Sequence, residues 1–166
     1  MSDKLIVCDY YFNMVRDGLV GQRLTSVTFT IERGKVGELA RALGDTDPLW
    51  WDDEAARAEG FDEAPLPPTA LALVDHWRAD GALAHAMEIG ADLDHLLHGE
   101  VEWEFLAQIR SGDQLVATTD VADVVIREGA RGGWMTLVTL LTTFASESGD
   151  VVARRRDVLI ETQVAP

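Results

Sequence analysis

Hydrophobic and polar positions change period several times along the chain. From Val20 to Ile31, "VGQRLTSVTFTI", apolar residues recur at Leu24, Val27, Phe29 and Ile31 with one phase adjustment, which predicts a strand with one face on a core. After Arg33 the period lengthens. In "GKVGELARALG" the positions Val36, Leu39, Ala40 and Leu43 have the i, i+3, i+4, i+7 spacing of a short amphipathic helix, with Gly44 as its stop. "DEAARAEG" predicts a second short helix, with Asp52 as N-cap and Gly60 as stop. "PTALALVDHW" differs from both, because Ala70 to Val74 are apolar without interruption and Pro68 stands at the start, where a missing N–H costs nothing. A helix without a polar face is expected to be buried.

Beyond the irregular connection "GALAHAMEIGADLDHL", the period becomes two. "LLHGEVEWEFLAQI" sends Val101, Trp103 and Phe105 to one face and Glu100, Glu102 and Glu104 to the other. "QLVATTDVADVVI", "WMTLVTLLTTFA" and "VVARRRDVLIET" follow, separated by the glycine turns "SGD" at 111–113, "EGARGG" and "SGD" at 148–150. Four consecutive strands of this kind predict an antiparallel meander. With the first strand there are about five, and the expected architecture is α+β: a curved antiparallel sheet wrapped around a buried central helix. The 166 residues suit a single domain, 1–166, with 1–19 as a lead segment.

Composition narrows the function. Hydrophobic content of 47% and charged content of 26% are those of an ordinary globular chain. The formal net charge of −15 repels nucleic-acid phosphate and anionic lipid, so neither nucleic acid nor a membrane is expected as a partner. Cys8 is the only cysteine, no stretch has the length of a membrane span, and the N-terminus lacks the pattern of a secretory signal; a cytoplasmic protein is expected. Nucleotide, zinc-protease and serine-hydrolase motifs are absent. The acids of "DTDPLWWDDE" invite a calcium reading, but Pro48 and two tryptophans occupy the middle of what would have to be a ligating loop, and no metal is expected.

Three separated stretches, "ALGDTDPLWWDDEAARAEGF", "APLPPTALAL" and "LLHGEVEWEFLAQIRSGDQL", together resemble the MaoC-like dehydratase family, in particular its N-terminal-type hot-dog domain. The resemblance implies a hot-dog fold that pairs with a second such unit, as a homodimer or a heterodimer, to build acyl-thioester sites at the interface. It implies no cofactor beyond the coenzyme A or the phosphopantetheine of an acyl carrier protein on which the substrate rides. In relatives that hydrate enoyl thioesters the loop reads G-D-x-N-P-L-H, and its Asp and His activate water. Here it reads Gly44, Asp45, Thr46, Asp47, Pro48, Leu49, Trp50. Water addition needs one group to take a proton and another to supply one, and an indole does neither.

Three readings of the loop stay open. Asp45 caps a turn and Trp50 fills space; or the chain is a substrate-binding, non-hydrating half that pairs with a histidine-bearing hot-dog domain; or it is an enzyme that uses a better nucleophile than water, such as an amine. The leading expectation is an acyl-thioester enzyme doing conjugate addition or its reverse on α,β-unsaturated chains, with the non-catalytic partner subunit as the alternative. Asp45 would orient or deprotonate the nucleophile, and Thr69 with the first-turn N–H groups after Pro68 would hold the thioester carbonyl. His98, in the "LHGE" that the resemblance carries over, would supply an imidazole or hold a turn. Trp50, Pro68 and Leu73 would line the acyl pocket. Arg154 and Arg156 share one face of their strand and Arg155 takes the other. The pair either balances Glu100, Glu102 and Glu104 across the sheet or docks the phosphopantetheine phosphate or an acidic carrier. His76 is expected in the core or an interface; His85 and His95 carry little signal.

Overall fold

The changes of period are realised as secondary structure in a computed structural model that describes residues 15–16, 18–76, 81, 83–129 and 133–163. Cys8, most of the lead segment and the side chain of His76 lie outside the described residues. Strand β1 (Arg23–Thr30) is followed by helices α1 (Arg33–Ala42) and α2 (Asp53–Ala58) and a central 3₁₀ helix (Pro68–His76). After α3 (Ala84–Glu88) come β2 (Leu96–Phe105), β3 (Gln114–Glu128), β4 (Trp134–Ser146) and β5 (Val151–Gln163). Asp52 caps α2 as expected, accepting from Glu54 N at 2.8 Å. The five strands form one antiparallel sheet in the order β1-β3-β4-β5-β2.

That order corrects the expected meander. Only β3, β4 and β5 follow one another as neighbours, while β2 lies against β5 at the far edge and β1 closes the other side on β3. The connection 106–113 is too long for a tight hairpin turn, and it carries the chain from one edge of the sheet to the opposite half.

The core sits between the sheet and the central helix. Phe29, Leu115, Phe144 and Ala153 from four strands, with Ile31 just after β1, meet Leu71 and Val74 from the helix, and Trp50, Leu66 and Trp103 pack around them. The helix is tighter than expected. In a 3₁₀ turn residues i and i+3 eclipse, so Leu71 and Val74 stack on one line and are both buried. The expectation of burial on most faces is corrected accordingly: Ala72, Pro68 and Thr69 are exposed and Leu73 is half-buried.

Strand β2 leaves a second face open. Its register places Val101, Trp103 and Phe105 opposite Asp157, Arg155 and Ala153, on the core side of the sheet. As an edge strand it is nevertheless poorly covered: Val101 is 41% exposed, Phe105 46% and Leu97 56%. An edge also presents unpaired backbone N–H and C=O groups, a template for another strand.

The turn into β2 is electrostatically set. Asp92 accepts from Asp94 N at 3.0 Å and bonds His95 Nδ1 at 2.8 Å, and its own N–H donates to the buried Glu161 at 2.6 Å. The His95 bond holds the Asp92 carboxyl below its ordinary range and raises the imidazole of His95. Burial pushes the Glu161 carboxyl up. A raised imidazole stabilises the fold below its unfolded value of about 6.5, and that contribution is lost as pH rises through the higher folded value. The depressed Asp92 works in the opposite window, its contribution being lost as pH falls through its folded value below about 3.9. Melting temperature is therefore expected to fall between pH 6 and pH 8.5 more steeply in the native chain than in Asp92→Asn. Equal slopes in calorimetry would contradict a pairing of His95 with Asp92.

Candidate functional site

The loop after α1 is built by its helix end. Gly44 takes φ +75°, Gly44 N donates to Arg41 O at 3.1 Å and Asp45 N to Ala40 O at 2.9 Å, the two bonds of a Schellman stop. This fixes where Asp45 leaves the helix. Its Oδ1 accepts from Asp47 N at 3.0 Å, Asp47 in turn accepts from Leu49 N at 2.9 Å, and Pro48 opens a 3₁₀ turn that ends on Trp50. The Trp50 indole Nε1–H then donates to Asp45 Oδ2 at 2.8 Å. Both oxygens of Asp45 thus accept a hydrogen bond from their own loop, and the ring that binds one of them cannot exchange its proton with substrate.

Trp50 forms one wall of a cavity of about 290 Å³, together with Phe61, Pro65, Leu66, Pro68 and Phe105. The far wall is held by Leu66 N donating to Ile109 O at 3.1 Å and by a bridge between Pro65 and Arg110. Asp53 ties this wall to α1 by pairing with Arg33 Nη1 and accepting from Ala64 N, both at 3.0 Å. The guanidinium first, and the Ala64 N–H second, hold the Asp53 carboxyl below its ordinary range. The cavity is apolar and aromatic, suited to an alkyl chain.

Of the residues singled out in the sequence, the structure brings Trp50 and Pro68 into this cavity and sets Asp45 directly behind Trp50. Thr69 and Leu73 belong to the same helix but are not among its lining residues. The 3₁₀ winding also uses one first-turn donor, since Ala70 N bonds Pro67 O at 2.9 Å. His98 is elsewhere. It lines a second cavity of about 340 Å³ with Asp75, Arg155 and Asp157, and none of the described residues lines both cavities. Arg154 and Arg156 lie on the opposite face of β5, paired with Glu104 at 2.8 Å and Glu100 at 3.1 Å, and neither is among the residues lining these two cavities.

Three residues of the second cavity escaped the sequence reading. Arg155 is buried, forked onto Asp75 by bonds of 2.9 and 3.2 Å, paired with Asp157 at 2.7 Å and laid 5.5 Å from the Trp103 ring. The signal available was the inward phase of Arg155 within its strand; its partner acids lie 80 residues upstream and two residues downstream, and only the fold joins them. Among the described residues no group of three or more His, Cys, Asp and Glu is placed to hold a metal ion, and no helix is long and apolar enough to cross a membrane.

A curved five-stranded antiparallel sheet around a central helix, with the loop and apolar cavity at the helix start, is the hot-dog fold. The model of the FAS1-like dehydratase domain region matches residues 18–155, and the chain belongs to this MaoC-like family. Among relatives, a UPF0336 protein of Parafrankia is 34% identical over 89% of this chain and 94% of its own. A UPF0336 protein of Saccharopolyspora erythraea is 31% identical over 72% and 74%. The match to a Streptomyces griseus UPF0336 protein, 33% identical, spans 58% of this chain and 63% of that relative. Two solved structures share the fold. The HadBC (3R-hydroxyacyl-ACP dehydratase) complex of Mycobacterium tuberculosis superposes with a TM-score of 0.69 at 21% identity, over 86% of this chain and 96% of that chain. The (R)-hydratase of A. caviae involved in PHA biosynthesis superposes with 0.65 at 17% identity, over 87% and 98%.

The bond between Trp50 and Asp45 is open to a double-mutant cycle. Trp50→Phe and Asp45→Ala are each expected to cost about 1 kcal/mol in urea unfolding, the worth of a part-buried hydrogen bond, and the double variant clearly less than their sum. Strictly additive costs would contradict a direct coupling.

Proposed function

We propose that this chain is the acyl-binding half of a two-subunit dehydratase or hydratase for acyl thioesters carried on coenzyme A or an acyl carrier protein. Proton transfer belongs to a histidine-bearing hot-dog partner. The observation that carries this reading is the 2.8 Å bond from Trp50 Nε1 to Asp45 Oδ2. Hydration requires a base to take a proton from water as its oxygen adds to the β-carbon, and an acid to protonate the α-carbon. In this loop the carboxylate is engaged on both oxygens and its neighbour only donates. His98, lining the other cavity, does not stand beside Asp45.

Partnership is supported by what the single chain leaves uncovered. Leu97, Val101 and Phe105 on the free edge strand and Ala72 on the central helix are exposed, and a second hot-dog unit seated there would bury them. Dimeric arrangement also fits the relatives of known structure, of which HadBC and the ChsH1–ChsH2 assembly of Mycobacterium tuberculosis are complexes. In this assignment Trp50, Pro68 and Phe105 hold the acyl chain, Leu73 lies on the helix side nearest the partner, and Thr69 with the N–H groups at the helix start faces the thioester carbonyl. Arg154 and Arg156 offer a phosphate-binding fork only if they leave Glu104 and Glu100.

The assay separates the two halves. The purified chain is expected to turn over crotonyl-type thioesters at under about a hundredth of the rate of the complex with a histidine-bearing hot-dog subunit, a single missing acid–base group costing 10²–10⁴. Hydration by the chain alone at the complex's rate would overturn the assignment, and so would addition of an amine to the same thioester by the chain alone.

A further inference from the structure

The second cavity lies at the opposite end of the central helix from Trp50, with Asp75 on its wall where Pro68 borders the first. Most of its lining is aliphatic, from five leucines including Leu83, Leu97 and Leu159. One side is charged. Asp75 grips Arg155 in a fork, Arg155 Nε pairs with Asp157 Oδ2 at 2.7 Å without hydrogen-bond geometry, and Asp157 Oδ1 bonds His98 Nε2 at 3.3 Å. Arg155 is 6% exposed and Asp157 7%. Burying such a network gains little stability, because well-packed apolar residues of similar size do as well or better.

The backbone is shaped to bring His98 into this arrangement. The β2–β5 register slips between His98 and Glu100, so that His98 reaches Asp157, the residue directly opposite Val101. Gly99 fills the bulge. A Cβ there would sit 2.6 Å from Ile160 Cδ1 and 3.1 Å from the Val158 carbonyl oxygen, so a larger residue would require the Ile160 side chain to move and the facing backbone to give by a few tenths of an ångström. Bulges of this kind re-aim a side chain next to a site.

Chemistry then restricts the occupant. A carboxylate only accepts, so the contact to Asp157 places a proton on His98 Nε2, and in the tautomer that carries it there Nδ1 is an acceptor. Among the described residues two carboxylates, those of Asp75 and Asp157, face one guanidinium, that of Arg155. The site therefore offers acceptors and negative charge at the head of an aliphatic pocket. We propose that this cavity binds a short aliphatic amine in its protonated form, the alkyl chain among the leucines and the ammonium group donating to His98 Nδ1 and to spare lone pairs of Asp75 and Asp157. A volume of about 340 Å³ is at the small end of ligand sites, matching a chain of a few carbons. The inference does not rest on the acyl-binding assignment, because none of the described residues lines both cavities.

NMR titration of the full chain with hexylammonium and, separately, hexanoate tests it. Hexylammonium is expected to shift the His98 ring and the amides of Leu97, Gly99 and Asp157 to saturation while the Trp50 indole N–H stays in place, and hexanoate is expected to bind at least tenfold more weakly. His98→Ala, which changes an exposed side chain without removing an acid, is expected to weaken hexylammonium fivefold or more, with its folded state read from the same spectra. Equal binding of hexanoate, shifts centred on Trp50, an absence of saturable shifts, or an unchanged affinity in His98→Ala would each overturn the proposal.

Discussion

The hydrogen bond from the Trp50 indole to Asp45 depends on a sequence of local constraints and in turn decides what the first cavity can do. A glycine with positive φ ends α1, the Schellman bonds aim Asp45, and Pro48 opens the turn that swings Trp50 back onto it. The same ring packs against the main core and walls the cavity. One side chain thus joins fold and site, donating its N–H to the carboxylate and giving its face to an apolar space. The remaining walls, braced by Asp53 and by the Leu66–Ile109 bond, keep that space open beside the start of the central helix.

The second organising constraint is the edge position of β2. It carries the core-side residues Val101, Trp103 and Phe105 past both cavities, with Trp103 stacked 5.9 Å from Phe105 at one end and 5.5 Å from the Arg155 guanidinium at the other. A single chain leaves much of this stripe exposed. Under the proposed function, pairing with another hot-dog unit and the division of labour answer two features of the single chain: the loop carries Asp45 with an indole in place of an imidazole beside it, and β2 presents an open edge.

Much of the fold was legible because periodicity is local. The 3.6-residue spacing of Val36, Leu39, Ala40 and Leu43 and the two-residue alternation of Val101, Trp103 and Phe105 record which face meets the core. Strand order was not legible: alternation says that β2 is a strand, while its place beside β5 depends on where the connection 106–113 leads. Burial of the central helix was overstated because the 3₁₀ winding stacks Leu71 and Val74 toward the core and leaves Ala72 and Leu73 off that line. At the site, Trp50 and Pro68 were readable from the loop motif and the proline. The Asp75–Arg155–Asp157–His98 network was not, because it joins residues from three separate elements and its arginine sits inside a run of three whose other two members merely balance glutamates.

The central claim is that this loop binds and does not transfer protons. The most direct measurement is kcat for thioester hydration by the reconstituted two-subunit complex, comparing Asp45→Asn in this chain with loss of the loop histidine in its partner. Asparagine keeps an acceptor for the indole and removes the base. The account predicts a kcat within about twofold of the native complex for Asp45→Asn, and a fall of at least about a hundredfold on loss of the partner's histidine. A collapse of kcat in Asp45→Asn, with the complex intact, would contradict it.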